Sequence, residues 1–336
     1  TPRTTRNAST WADNPAFFER SRRLCHNFLA RVNYFYKNFY NPVQRHHEWG
    51  LLLPGRQSAP MSHATHTTPT LAFIGGGNMA SAIIGGLIKQ GTPADRIVVV
   101  EPFAQARERL HTEFKVRTLE AADATLQDAG LVVWAVKPQT FKEAAEQVRA
   151  FCSHALHLSV AAGIRSESIA QWLDTQRVVR AMPNTPALVG LGQTGLFARP
   201  AVTAADKQWI EQVVTTTGQY LWVTDEPLLD AVTAISGSGP AYVFFFIEAM
   251  IEAGTRMGLT HAQAHQLAVG TFVGASELAR SASEPPSVLR ERVTSKGGTT
   301  YAAITSMQEA GVASLFETAL KAAQHRAKEL GDAFGA

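Results

Sequence analysis

Cysteine is scarce. Only Cys25 and Cys152 occur in 336 residues, too few for a disulfide framework and without metal-ligand spacing, so a reducing compartment, the cytoplasm, is expected. Long apolar runs are also missing. The longest, residues 241–247, falls far short of the ~20 residues that span a bilayer and reads as core, so no membrane association is expected. No Ser-His-Asp constellation is evident. His46 and His47 lie in an atypical N-terminal stretch, and His261 and His265, at i and i+4, lack a third ligand, so no metal is expected.

The body of the chain lacks an excess of positive charge. Residues 1–60 carry nine Lys and Arg against three Asp and Glu, a net +6, whereas the remaining 276 carry 22 against 25, a net −3. The basic balance belongs to the N-terminal stretch, and the body has no footprint for nucleic acid. That stretch combines arginines with many aromatics and has no glycine before Gly50. It is too poor in serine for an organellar transit peptide and has no apolar core for a secretory signal. Residues 1–68 are therefore expected to be an extension without a fold of its own. Met61 is expected to be the natural start, with a genuine targeting or binding tail as the alternative.

From Thr70 onward, short runs that are apolar throughout alternate with helical patterns. Strands are expected at 71–74, 97–100, 131–136, 156–160 and 178–182, and helices near 78–90, 104–113 and 140–150. Such strands indicate a parallel sheet covered on both faces, and right-handed crossovers make it doubly wound. After about residue 225 the strands stop, and helices are expected near 227–257, 261–282, 286–293, 299–310 and 312–331. The fold class is α/β: a Rossmann-type doubly wound parallel sheet over 69–224, followed by an all-α domain over 225–332. Tyr242–Ile247 is apolar on every side and should be surrounded. A helical piece this small cannot bury it alone, so self-association into a dimer or larger assembly is expected.

Three strand ends carry candidate cofactor chemistry. Gly75-Gly76-Gly77-Asn78-Met79-Ala80 follows the first strand as G-x-G-x-x-A. Gly75 permits the tight turn, Gly77 lets backbone approach a pyrophosphate, and Ala80 lets the helix pack close to the sheet. Free N–H groups at the helix start then face the phosphates. Glu101 ends the second strand, where an acid accepts from an adenosine ribose hydroxyl and repels a 2′-phosphate. That favours NADH over NADPH, although Arg107 and Arg109 nearby complicate the sign. Ala135-Val136-Lys137-Pro138 ends another strand. Pro138 fixes the turn, and Lys137 either faces the phosphate or nicotinamide or is a surface lysine. Ala161-Ala162-Gly163 is small enough at Ala162 to leave room for a flat ring, or else serves tight helix packing.

The C-terminal part holds two unusual segments. Ser236-Gly237-Ser238-Gly239-Pro240 interrupts a helical pattern and implies a required kink, for packing or for catalysis. Thr294-Ser295-Lys296-Gly297-Gly298-Thr299-Thr300 precedes a helix. Successive N–H groups and hydroxyls there suit one carboxylate, and the double glycine adds nothing to an ordinary cap.

Taken with Met182-Pro183-Asn184-Thr185-Pro186, these motifs in this order resemble pyrroline-5-carboxylate reductase over about residues 70–332. The resemblance implies reduction of a small-molecule substrate, 1-pyrroline-5-carboxylate, to L-proline with NADPH or NADH, the last step of proline biosynthesis. It further implies an interlocking helical dimerisation domain and rings of dimers. Ser295, Gly297, Gly298, Thr299 and Thr300 would hold the substrate carboxylate, with Thr300 near the ring nitrogen as the catalytic residue. Lys296 stands where the family usually has proline. The competing readings are another Rossmann reductase of the 3-hydroxyacid dehydrogenase type, although no lysine accompanies Ser236–Gly239 as that chemistry requires, and a non-catalytic nucleotide-binding protein.

Overall fold

The computed structural model describes residues 70–334; the expectations placed on residues 1–68 lie outside them. Eight strands form one sheet: β1 (Thr70–Ile74), β2 (Ile97–Val100), β3 (Arg117–Leu119), β4 (Ala129–Trp134), β5 (Leu156–Ser159), β6 (Val178–Met182), β7 (Gly192–Ala198) and β8 (Gly218–Trp222). Their order is β3-β2-β1-β4-β5-β6-β7-β8. It reverses between β1 and β4, the switch point at which such sheets place ligands. The apolar runs pair in parallel, Leu71 opposite both Ile97 and Leu131. The expectation of a wholly parallel sheet is corrected at one place, where β7 runs antiparallel to β6 before pairing in parallel with β8.

Successive strand residues point to opposite faces, both covered, which is why β1, β2 and β4 are almost wholly apolar, while β5 and β6 bury His157, Ser159 and Arg180 as well. Leu71, Phe73, Leu131 and Val133 enter one core; Ala72, Ile74, Val132 and Trp134 enter the other. Helices cover both. In α1 (Asn78–Lys89) the buried residues Ala80, Ile83, Ile84 and Leu87 lie at i, i+3, i+4 and i+7. Four further helices complete the sandwich: α2 (Ala104–Phe114), α3 (Pro138–Cys152), α4 (Ser166–Leu173) and α5 (Ala204–Val214). Pro138 stands in the first turn of α3, where its missing N–H removes no bond.

One polar side chain sits inside the second core. Trp134 Nε1 donates to His157 Nδ1 at 3.0 Å, and His157 Nε2 faces the Cys152 carbonyl at 3.1 Å. The indole N–H makes Nδ1 an acceptor, so Nε2 carries the proton and the imidazole is neutral. Burial pushes its pKa down to about 4. The neighbouring Cys152 thiol is pushed up to about 12, again by burial, and is inert.

The helical half begins with α6 (Leu228–Val232) and continues through a π-helical turn, Thr233–Gly237, into α7 (Gly239–Arg256). The segment read as an interruption is therefore a widened turn within a continuous helix. The apolar helix is longer than the uninterrupted run of residues 241–247 alone. Leu228–Arg256, 29 residues, is long and apolar enough to cross a membrane by length and composition; the glycines and the proline break the apolar run without breaking the helix. Helices α8 (His261–Ser281), α9 (Pro286–Arg292), α10 (Thr299–Glu309) and α11 (Val312–Phe334) follow. Little here is buried. Ile251, Ala264 and Ala268 form a small core, while Phe244 is 59% and Phe245 65% exposed.

Charged side chains join the two halves. The Arg165 guanidinium is bidentate on Asp230, at 3.1 and 2.9 Å, and reaches Asp332 at 3.7 Å. Glu226 accepts from the Ser166 N–H at 2.6 Å, so it caps α4 from the linker, and it pairs with Arg180. Burial alone would raise the Glu226 carboxyl; Arg180 and the Ser166 donors outweigh it and hold the group below the ordinary carboxylate range.

Candidate active site

The first cradle forms where β1 ends. Gly75 has φ +94° and donates its N–H to Val100 O at 2.9 Å. A Cβ on it would stand 2.7 Å from the Ala135 carbonyl, so only glycine lets this turn rest on the end of β4. Gly77 is the N-cap of α1 with no side-chain hydrogen bond to the helix start, and a Cβ added to it would meet nothing within 4 Å. The start of α1 thus has no side-chain cap and has room beside its N-cap, an arrangement that accommodates an anion and its helix-dipole stabilisation. Asn78 is exposed and Met79 half-buried beside it.

The neighbouring strand ends lie along the same edge. Ala135 N–H donates to Ile74 O at 2.8 Å, and Val160 N–H donates to Trp134 O at 3.0 Å. Ala135 and Val136 are half-buried and Lys137 is exposed at the start of α3. Ala161 is buried in the core whereas Ala162 is exposed, so of the two readings of this pair, packing applies to the first and open space to the second. Gly75–Met79, Ala135–Pro138 and Ala162 are thereby brought to one edge.

Glu101 is placed there too, but it faces inward. It is 7% exposed, with Oε2 accepting from Gly76 N–H at 2.8 Å and Oε1 from Phe103 N–H at 3.0 Å. The carboxylate is part of the scaffold that shapes the glycine turn. Arg109 donates to the Gly76 carbonyl at 2.9 Å from the other side.

The second cradle starts α10. Gly297 has φ +77°, and Gly298 is the N-cap with no side-chain cap bond, so ordinary capping by Ser or Thr does not explain this segment. Gly298 N–H closes a turn onto Ser295 O at 2.9 Å, and Thr294 Oγ1 donates to Arg290 O at 2.6 Å. Ser295, Lys296, Gly297 and Thr299 are exposed and Thr300 is half-buried. Among the described residues no hydrogen bond or ion pair ties 294–300 to the sheet half. Within one chain the two cradles are not joined.

Sequence reasoning gave no role to Asn184. Only 8% exposed, it donates from Nδ2 to Ser236 O at 3.0 Å and accepts at Oδ1 from Gln193 N–H at 2.9 Å. The signal was in the sequence: the helical partner of the Ser236 carbonyl would be the N–H of residue 240, which is proline. Met182 packs in the same place, since a Cβ on Gly237 would lie 2.5 Å from Met182 Cε.

A doubly wound sheet with a glycine cradle at its switch point, followed by a helical half carrying a second cradle, defines a dinucleotide-dependent oxidoreductase of two-domain type. Residues 226–330 match the family model described as pyrroline-5-carboxylate reductase dimerisation, and residues 70–163 match one described as NADP oxidoreductase, coenzyme F420-dependent. The pyrroline-5-carboxylate reductase of Pseudomonas aeruginosa is 44% identical over 271 residues, covering 80% of this chain and 99% of its own length. That of Haemophilus influenzae is 40% identical, covering 79% and 98%. The solved reductase of Coxiella burnetii superposes with a TM-score of 0.74 at 38% identity, covering 78% of this chain and 98% of its own. The Plasmodium falciparum reductase, solved with NADP bound, gives 0.70 at 26%, with the same coverage. The chain belongs to the pyrroline-5-carboxylate reductase family. It is an NAD(P)H-dependent oxidoreductase that reduces 1-pyrroline-5-carboxylate to L-proline; the hydroxyacid-dehydrogenase and non-catalytic readings are not favoured. Its helical half is a dimerisation domain, and the protein forms dimers.

Proposed function

We propose that reduction takes place where the two cradles meet across the dimer, Gly75–Met79 from one copy and Ser295–Thr300 from the other. The observation that carries this is the pair of helix starts, α1 and α10, each opening on a glycine N-cap without a side-chain cap. The exposure of 295–297 and 299, in a segment bonded only within its own half among the described residues, supports completion by the partner.

In this reading the N–H groups of α1 hold a pyrophosphate, with Ala135–Pro138 and Ala162 lining the nicotinamide end. The N–H groups at the start of α10, with the Ser295 and Thr299 hydroxyls, hold the substrate carboxylate. Gly297, in the left-handed region, gives the turn its direction beside Lys296. Thr300 Oγ1 hydrogen-bonds the ring nitrogen as the catalytic residue. A bound nicotinamide supplies the hydride. A protonated imine is already a strong electrophile, so the chain mainly has to hold its carbon about 3–3.5 Å from the donor.

The cofactor half is assigned to 69–224 and the helical half to 225–332, with 1–68 as an extension. A second copy, not lipid, covers Leu228–Arg256, supported by the exposed Phe244 and Phe245 within the dimerisation match. Association of dimers into rings and a cytoplasmic location follow from the same reading. The test is the decay of NAD(P)H absorbance on addition of 1-pyrroline-5-carboxylate; no decay with either cofactor would sink it.

A further inference from the structure

We propose that the adenosine end of the first cradle selects an unphosphorylated ribose, so that this chain takes NADH in preference to NADPH. The inference rests on the reading of Gly75–Met79 as the pyrophosphate cradle. Glu101 sits at the carboxyl end of β2, one strand from the switch point, where the adenosine ribose of a cofactor held on α1 must lie.

Its carboxylate is fixed. Glu101 N–H donates to Leu119 O at 2.9 Å, and its two side-chain oxygens take the Gly76 and Phe103 N–H groups at 2.8 and 3.0 Å. The group cannot swing away without releasing the glycine turn itself. Each carboxylate oxygen keeps a further lone pair after one backbone bond, enough to accept from ribose hydroxyls. A 2′-phosphate would instead bring about two negative charges against a pinned carboxylate, and like charges so placed repel strongly.

A cation there would favour the phosphate, and the more buried of the two nearby arginines, Arg107, is committed elsewhere. Arg107 Nη1 donates to the Glu101 and Pro102 carbonyls at 2.9 and 2.7 Å, and its Nη2 pairs with Glu120 at 3.0 Å. Its side chain is only 20% exposed. Arg109 holds the Gly76 carbonyl. Arg107 would have to abandon carbonyls that shape the loop in order to meet a phosphate, and Arg109 is anchored to the glycine turn through Nη2. The pinned carboxylate therefore decides the sign that the nearby arginines left open in the sequence. The NADP seen in the Plasmodium falciparum relative belongs to a protein 26% identical to this one and does not bear on these side chains.

The full chain, without substrate, is titrated with NADH and with NADPH, following nicotinamide fluorescence and, independently, calorimetric heat. NADH is expected to bind at least about tenfold more tightly. Glu101→Ser should shrink that ratio by about tenfold or invert it, mainly by strengthening NADPH. Should the serine variant misfold, Glu101→Gln keeps an acceptor without the charge and should shift the ratio in the same direction. Equal or tighter NADPH binding by the wild type overturns this inference alone, as does a ratio unchanged in a folded Glu101 variant. Binding of neither cofactor overturns the cradle reading together with it.

Discussion

Asn184 supplies the hydrogen bond that Pro240 takes away from Ser236. Its Nδ2 lies 3.0 Å from the Ser236 carbonyl, the group that a proline four residues on cannot serve. The bond crosses from the loop after β6 to the π-helical turn, so a side chain of the sheet half completes the backbone of the helical half. Asn184→Ala would leave that carbonyl and the Gln193 N–H without partners. A loss of about 2–4 kcal/mol is expected, at about 1–2 kcal/mol for each unsatisfied group, read from urea unfolding. A loss under about 0.5 kcal/mol would mean that solvent reaches both groups.

Gly75 and Gly77 differ in what surrounds them, and alanine separates their roles. Gly75→Ala forces a side chain into φ +94° and within 2.7 Å of the Ala135 carbonyl. It should destabilise the fold by about 2 kcal/mol or more. Gly77→Ala meets no protein atom, so stability should fall by no more than about 1 kcal/mol, while cofactor affinity drops because the methyl occupies the pyrophosphate's approach. Unchanged affinity in Gly77→Ala would show that the ligand sits elsewhere.

Thr300 tests the second cradle. Thr300→Ala should lower turnover by about tenfold or more with the melting temperature little changed, since the hydroxyl has no cap to lose. Equal turnover in the variant would remove the residue from the mechanism.

The buried imidazole of His157 predicts a pH dependence. Its folded pKa, about 4, lies below the ordinary value, so the unfolded chain takes up a proton first as pH falls. The stabilisation is fully present above about pH 6.5 and is lost progressively down to about 4, on the order of 3 kcal/mol in all. Glu226 and Asp206, held below the ordinary carboxylate range, lose their contribution at lower pH. Denaturant titrations from pH 7 to 5 should therefore show a slope that His157→Gln flattens. An identical slope in a folded variant would place the titration elsewhere.

Much of this was readable in advance, for physical reasons. β1, β2 and β4 are covered on both faces and so are almost wholly apolar, and β5 and β6 keep enough of that pattern around His157, Ser159 and Arg180 to be read as strands. β3 is three residues of edge strand, Arg-Thr-Leu, with nothing to mark it. β7 and β8 escaped because glycines sit in them: a Cβ on Gly195 would lie 2.7 Å from Val232, and one on Gly192 2.8 Å from the Thr217 carbonyl. These are close approaches that only the folded chain reveals. The cradles were legible because glycine at a helix start is a local signature. The orientation of Glu101 was not, since its partner Gly76 lies 25 residues away. The Arg165–Asp230 and Ser166–Glu226 pairs, 65 and 60 residues apart, have no local signature at all.

If the second copy covers the wide apolar face of Leu228–Arg256 as proposed, folding of the helical half becomes a bimolecular affair. A core of Ile251, Ala264 and Ala268 is too small to hold these helices in an isolated copy, so much of their stability arrives with the mate. Dilution should then act as a denaturant: the melting temperature should rise with protein concentration, and the second cradle, carried on the helices that loosen first, should be lost before the sheet.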